Sequence, residues 1–348
     1  MEKHDHIFHY EKKFELEAGG SLSGFQLKYT TLGKLNRERS NVVWVCHALT
    51  GSSDFTSWWC DFFTEDGPFS PQKYFIICAN MPGGCYGSTG PLSTDPQTGK
   101  PYYHHFPVIT NRDVVGAFDL LRQELHLDRI HTIIGGSLGG QQAMEWTIAQ
   151  PLVFQNIILL ACNAVHSPWG IAFNEAQRMA IQADPTWKES EPRAGIEGMK
   201  AARAIGMISY RQYETFQLTQ SEKGNHKLDE FRAATYQRYQ GDKLANRFNA
   251  FTYWIVSRLM DSHNVGRNRE SIEHALASIK GNVLVIGIDS DLLFPVSEQK
   301  FLAQHIPNAE LEVIQSVYGH DGFLVEFNVM KDIIKHHFKK ETLQEVLV

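Results

Sequence analysis

The segment Ile133-Ile134-Gly135-Gly136-Ser137-Leu138-Gly139-Gly140 holds a serine inside G-x-S-x-G, directly after an apolar run and before a helical pattern. A sharp strand-to-helix turn in that context lifts a hydroxyl clear of a sheet edge, which makes Ser137 a candidate nucleophile. Its small neighbours permit a tight turn, and the Leu138 amide would open the new helix, where it can face a developing oxyanion. A serine hydroxyl is a weak nucleophile; it needs a base, and the base needs an orienting acid. His320, within Ser316-Val317-Tyr318-Gly319-His320-Asp321-Gly322, has flanking glycines that let a short loop turn the imidazole inward. Ile286-Gly287-Ile288-Asp289-Ser290-Asp291-Leu292-Leu293-Phe294-Pro295 supplies two acids. Asp289 belongs to the end of a strand, Asp291 to the loop before Pro295, and spacing leaves both open. A second oxyanion donor is expected from His47-Ala48-Leu49-Thr50-Gly51, with the Leu49 amide as the donor and His47 packed beneath the loop. His4, His6, His9, His104 and His105 hold weaker positions, and His336-His337, beside lysines, read as a solvated helix face.

Other chemistries find less support. Asn80-Met81-Pro82-Gly83-Gly84-Cys85-Tyr86-Gly87-Ser88-Thr89-Gly90-Pro91 is glycine-rich, yet it matches neither phosphate-binding signature and reads as a shaped loop beside the mouth of the site. There is no H-E-x-x-H and no cluster of carboxylates, so no metal is expected. The five cysteines, Cys46, Cys60, Cys78, Cys85 and Cys162, are odd in number and form no C-x-x-C pair, as suits free thiols in a reducing compartment. With 33 basic against 39 acidic residues the net charge is −6, without the basic excess of a general nucleic-acid binder. No apolar signal segment follows Met1–His6, and no run reaches the length of a bilayer span; the expected location is the cytoplasm, with neither nucleic acid nor membrane as partner.

Several elements must position these groups. Apolar runs at Phe25–Thr31, Val42–Cys46, Tyr74–Asn80, Ile130–Ile134, Ile157–Cys162, Val283–Ile288 and Leu311–Ser316 predict strands. The central ones are continuous rather than alternating, as in a largely parallel sheet covered on both faces. Asp113–Leu125 and Gln141–Ile148 predict helices between them, which is α/β architecture. The stretch 166–280 carries no strong β run, and its periodicity predicts helices at Asn174–Ala183, Gly198–Glu214, Asp229–Gln240, Thr252–Asp261 and Ser271–Ile279. We read residues 1–165 as the first part of an α/β core, 166–280 as a helical insertion and 281–348 as the rest of the core, ending in a helix over Gly322–Lys340.

Beyond the serine turn, an ordered set of motifs runs through the chain. It comprises His47–Gly51, Asn80–Pro91, Thr98–Tyr102, Phe106–Thr110, Arg112-Asp113, Gly136–Gly140, Asn174–Arg178, Ala183–Pro185, Tyr236–Gly241, Ser290-Asp291 with Leu293–Pro295, and Gly319–Asp321. In this the sequence resembles the homoserine O-acetyltransferase family of the α/β-hydrolase fold, from about residue 15 to residue 340. The resemblance implies a mostly parallel sheet with an inserted helical lid, and a triad of Ser137, Asp291 and His320. It implies acetyl-CoA or succinyl-CoA as acyl-donor co-substrate with no bound cofactor, homoserine as acceptor, and a homodimer formed through the lid helices. Family substrate-binding positions fall on Arg203, Tyr210 and Asp321; an arginine suits a carboxylate bidentately and an aspartate suits an ammonium. Those three favour a transferase over an esterase or thioesterase built on the same triad. Leu138 and Gln141 stand where many members have methionine, and Asn249 and Asn264 stand where aspartate is usual. These departures bear on acetyl against succinyl donor and homoserine against serine acceptor, which one methylene separates by only about 1–3 kcal/mol.

Overall fold

The computed structural model describes residues 2–346, with side chains described for residues 2–339. Met1 and residues 347–348, the outer ends of the two core segments, and the Lys340 side chain lie outside the described residues.

Eight strands form one sheet: β1 (His4–Tyr10), β2 (Phe25–Leu32), β3 (Val42–Cys46), β4 (Phe75–Ala79), β5 (Ile130–Gly136), β6 (Phe154–Leu160), β7 (Asn282–Ile288) and β8 (Ala309–Ile314). Their spatial order is β1-β2-β4-β3-β5-β6-β7-β8. The first two pairings are antiparallel, and every pairing from β4 to β8 is parallel. The continuous apolar strands are buried on both faces. Val43, Val45, Ile134, Ile158 and Ile286 pack with Phe55, Phe62, Phe69, Met330 and Ile334 on one side. Trp44, Ile133, Leu159 and Val285 pack with Phe118, Met144 and Trp146 on the other. There the Trp44 and Trp146 rings meet edge to face at 4.8 Å, a geometry that contributes about 0.5–1.5 kcal/mol beyond burial.

The helices are α1 (Asn111–Glu124), α2 (Leu138–Ala149), α3 (Pro168–Gln182), α4 (Ile196–Tyr210), α5 (Tyr213–Gln220), α6 (Arg232–Ala245), α7 (Ala250–Asp261), α8 (Ile272–Ala277), α9 (Val296–His305) and α10 (Phe327–Val346). Thr110 and Asp113 close a capping box on α1, so this part of the motif set has a local structural job. Helices α3 to α8 all fall between β6 and β7, where the helical insertion was expected.

Parallel pairing fixes what the sheet edge presents. Cys46 pairs with Gly135, Gly136 with Leu160, Leu160 with Ile286 and Ile288 with Ile314. The loops after β3, β5, β6, β7 and β8 therefore leave the sheet along one edge, bringing residues 47–51, 137, 161–163, 289–295 and 316–324 together.

Some local expectations need correction. The helix expected over Gly198–Glu214 is two helices, because Arg211 and Gln212 are extended; Arg211 reaches Asp321, and Gln212 and Thr215 donate to the Val317 carbonyl. The strand expected to run to Cys162 ends at Leu160, since Ala161 turns to φ 44°. Gly319–Leu324 forms a 3-10 turn, and the last helix starts only at Phe327. His336 is exposed, but His337 is buried, its Nδ1 3.2 Å from Glu310 Oε2, so the pair is not one solvated face. Among the described residues no helix is long and apolar enough to cross a membrane.

Candidate active site

Ser137 sits between β5 and α2 with φ 56° and ψ −125°, a strained conformation for a residue with a Cβ. Its amide donates to the Leu160 carbonyl at 2.9 Å, and its carbonyl accepts from the Gln141 amide at 3.1 Å, which hold the turn. The turn also needs close packing: a Cβ on Gly139 would lie 2.1 Å from the Cys46 carbonyl oxygen, and one on Gly136 2.6 Å from the Phe323 ring. Leu138 is the first residue of α2, so its N–H is one that helix geometry leaves without an intrahelical acceptor.

His320, in the turn after β8, meets the serine. Its Nε2 is 2.9 Å from Ser137 Oγ and its Nδ1 is 2.7 Å from Asp291 Oδ2. All three residues are buried. Asp291 Oδ1 accepts from the Leu293 and Phe294 amides, both at 2.8 Å, so the carboxylate is fixed from two directions. That arrangement places the Nδ1 proton toward Asp291 and leaves the Nε2 lone pair to accept from the Ser137 hydroxyl. Phe294 stacks on the imidazole at 4.9 Å and Phe323 meets it at 5.2 Å. The Trp59 indole donates to the Phe323 carbonyl, tying the His320 turn to the core. Asp289, the other acid that spacing allowed, instead accepts from the Ser316 amide and joins the loops after β7 and β8. The three groups can move a proton from Ser137 to His320 while Asp291 balances the imidazolium.

A cleft opens above Ser137. Ala48, Leu49 and Thr50 line it from the β3 loop, and Asn174, Arg203, Ser209, Tyr210 and Met260 line it from the insertion. Leu293, His320, Asp321, Phe323 and Leu324 complete it. Beneath the β3 loop, His47 is buried; its Nε2 accepts from the Met81 amide at 3.2 Å, so its Nδ1 carries the proton and donates to the Ala48 carbonyl at 3.0 Å. Burial pushes this histidine down to about 4, which keeps it neutral and the loop in place.

Arg203 and Tyr210 lie on α4, with the guanidinium carbon 5.3 Å from the tyrosine ring centre. Arg203 forms no ion pair among the described residues, so the cleft holds an unneutralised guanidinium. Burial pushes the Tyr210 phenol up, against the pull of Arg203. Asp321 also lines the cleft, but its carboxylate is 2.7 Å from Arg211 Nε, a partner that nothing local in the sequence signalled. Asn174 donates to Asp261 at 2.7 Å, and Asp261 pairs with Arg178 at 2.6 Å. The glycine-rich loop 80–91 does not line the cleft; it walls a neighbouring groove with Arg193 and Arg247. The two meet through Arg247, which donates to the Thr50 carbonyl at 2.7 Å and to the Tyr86 hydroxyl. Asn249 caps α7 by accepting from the Thr252 amide, and Asn264 accepts from the Gly266 amide. Asparagine serves as well as aspartate in such cap and turn positions, which accounts for both departures. Among the described residues no three histidine, cysteine or acidic side chains cluster to hold a metal.

Residues 41–327 match the family model of the alpha/beta hydrolase fold. A homoserine O-acetyltransferase from Cyclobacterium marinum is 49% identical over 338 residues, covering 97% of this chain and 96% of that protein. One from Chlorobaculum tepidum is 42% identical, covering 97% and 95%.

The chain belongs to the homoserine O-acetyltransferase family.

Among solved structures, a Staphylococcus aureus member superimposes with TM-score 0.81 at 29% identity, covering 97% of this chain and 95% of that one. An esterase, E22, superimposes with TM-score 0.88 at 21% identity, covering 97% and 100%; that likeness is one of fold alone.

Proposed function

We propose that this chain is a homoserine O-acetyltransferase, moving an acetyl group from acetyl-CoA to the hydroxyl of L-homoserine through an acetyl-serine. The observation that carries this reading is the unneutralised Arg203 in the same cleft as the Ser137–His320 pair, in a chain whose relatives bear that activity. His320 takes the Ser137 proton as Oγ attacks the thioester carbonyl, with Asp291 orienting and balancing the ring. The Leu49 and Leu138 amides face the oxyanion, where removing one such donor typically costs about 2.7–4 kcal/mol of activation free energy. The C–S bond breaks, His320 returns the proton to sulfur, and CoA leaves. Homoserine then enters with its carboxylate on Arg203 beside Tyr210 and its ammonium toward Asp321. Because Arg211 shares that carboxylate, Asp321 makes a tempered cation site. His320 removes the proton from the homoserine hydroxyl as its oxygen attacks the acetyl ester, the acyl–Oγ bond breaks, and His320 returns that proton to Ser137. The insertion 166–280 serves as a lid that keeps water from the acetyl-serine while it waits.

The exposed apolar side chains Ile208, Tyr213 and Leu218 on α4 and α5 support a homodimer through the lid, and five free thiols support a reducing, cytoplasmic setting. One experiment tests the function: acetyl-CoA and succinyl-CoA against homoserine and serine, with mass detection of products. O-acetylhomoserine as the main product is expected. Preferred succinylation overturns the named donor, and free acetate formed regardless of amino acid makes the enzyme a thioesterase.

A further inference from the structure

The Ser137–His320–Asp291 set is closed behind by a second, wholly internal path. The Gln141 amide donates to the Ser137 carbonyl, and the Gln141 side chain, itself buried, donates to Asn163 Oδ1 at 2.9 Å. Asn163 follows β6, is buried, and donates through Nδ2 to Glu298 Oε2 at 3.0 Å. Its own carbonyl accepts from His263 Nε2 at 3.0 Å, which fixes the backbone while the side chain bridges Gln141 and Glu298. Glu298 lies in the first turn of α9, and its amide donates to the Pro295 carbonyl at 2.8 Å. Pro295 ends the loop whose Leu293 and Phe294 amides hold Asp291. Beside it, Gln299 donates to the Cys162 carbonyl at 2.9 Å, a second tie between α9 and the loop after β6. The ring thus runs from Ser137 through Gln141, Asn163, Glu298 and the Asp291 loop to His320 and back to Ser137.

The geometry points to Glu298 as a positioning residue for the triad: held by Asn163, its carboxylate fixes the acid loop relative to the nucleophile turn and supports the positive charge that His320 acquires. It acts through Asn163 and Asp291, and it does not line the cleft. This rests on the Ser137–Asp291–His320 reading above and goes beyond it.

Electrostatics agree with the geometry. The titratable groups that act on Glu298 or feel it are Asp291 after β7, His320 after β8 and Cys162 after β6. Burial above all, and then Asp291, push the Glu298 carboxyl up to about 7, while the Asn163 amide and His320 hold it down. Near neutrality the group is therefore partly ionised, and formation of the imidazolium draws it toward the charged form. Cys162 stays a neutral thiol, since burial pushes it far up.

The test uses the full chain and p-nitrophenyl acetate, which acylates Ser137 without CoA or acceptor. The burst rate is followed from pH 5 to 9 for wild type, Glu298→Gln, Glu298→Asp and Gln141→Met. Glu298→Gln is expected to lower the rising-limb midpoint by at most roughly half a pH unit, because the partly ionised carboxylate behind Asp291 is lost. The rate at pH 7 should fall about fivefold. Glu298→Asp should restore part of the midpoint. Gln141→Met, which removes the hydrogen bond to Asn163, should move it in the same direction by less, and it serves as the probe if Glu298→Gln fails to fold. An unmoved midpoint overturns the inference, whether or not the rate falls, since a merely structural role would slow the burst without shifting it. A burst that persists in Ser137→Ala would instead refute the triad reading itself.

Discussion

Replacing Asp291 by asparagine isolates one atom of the proposed mechanism. Asp291 Oδ1 accepts two amides at 2.8 Å, and an asparagine oxygen can accept both, so the side chain should stay where it is. Its NH2 would then occupy the position 2.7 Å from His320 Nδ1 that Oδ2 holds now. A donor facing the Nδ1 proton is unfavourable, so the imidazole adopts the other tautomer and presents Nε2–H to Ser137 Oγ, at 2.9 Å, where a lone pair is needed. Two losses follow. A charge-assisted hydrogen bond, worth about 1.5–3 kcal/mol, is replaced by a poor neutral contact. The imidazolium formed in the transition state also loses its buried counter-charge, at a cost of about 3 kcal/mol. Together these give about 5 kcal/mol, or nearly four orders of magnitude in acylation rate. Stopped-flow acylation by p-nitrophenyl acetate reads that rate directly, and thermal unfolding checks that the fold survives. A loss smaller than tenfold in a folded variant would refute the reasoning.

Two further outcomes follow from particular side chains. Arg203→Ala should raise KM for homoserine and lower kcat/KM about 10- to 100-fold while acyl-enzyme formation stays unchanged, with Arg203→Lys restoring only part, because an ammonium cannot replace a planar bidentate donor; steady-state kinetics with homoserine against the p-nitrophenyl acetate burst separates the two steps. Acid should weaken the fold. His47, His166 and His263 are pushed by burial down to about 4, 3 and 3, so between about pH 6.5 and 5 the unfolded chain binds protons that the native one refuses. Stability then falls with pH by up to about 1.4 kcal/mol per unit for each histidine, and Glu298, which releases its proton near 7 when folded, opposes one of the three. Urea unfolding at pH 6.5 and pH 5 measures the difference, and equal stabilities would count against it.

The sheet was legible because its strands are buried on both faces. Val42–Cys46, apolar at every position, was expected and found with the same ends. Strand β1 was not legible: His4–Tyr10 is polar and mostly exposed, and it is a strand only because β2 offers an open edge to pair with. Helix α9 went unseen for a similar reason, since Val296–His305 buries little besides Gln299 and Leu302. The break between α4 and α5 carries no glycine or proline; it is imposed by Asp321 and the Val317 carbonyl, residues more than a hundred positions away. At the site, Ser137 and His320 announced themselves by local turn chemistry. Asp289 and Asp291 did not separate on spacing, because what distinguishes them is which loop each one bonds. Arg211, Asn163 and Glu298 take their meaning wholly from segments brought together by folding, so no local pattern marks them.

The central claim is that Ser137 carries the acetyl group between donor and acceptor. It is tested most directly by mixing the enzyme with acetyl-CoA, quenching in acid and mapping the modified peptide by mass spectrometry, with and without a chase of homoserine. One acetyl group on Ser137, discharged by homoserine as O-acetylhomoserine at the rate of turnover, is the predicted result. Turnover with Ser137 unmodified throughout, or an acetyl-Ser137 that homoserine does not discharge, would contradict it.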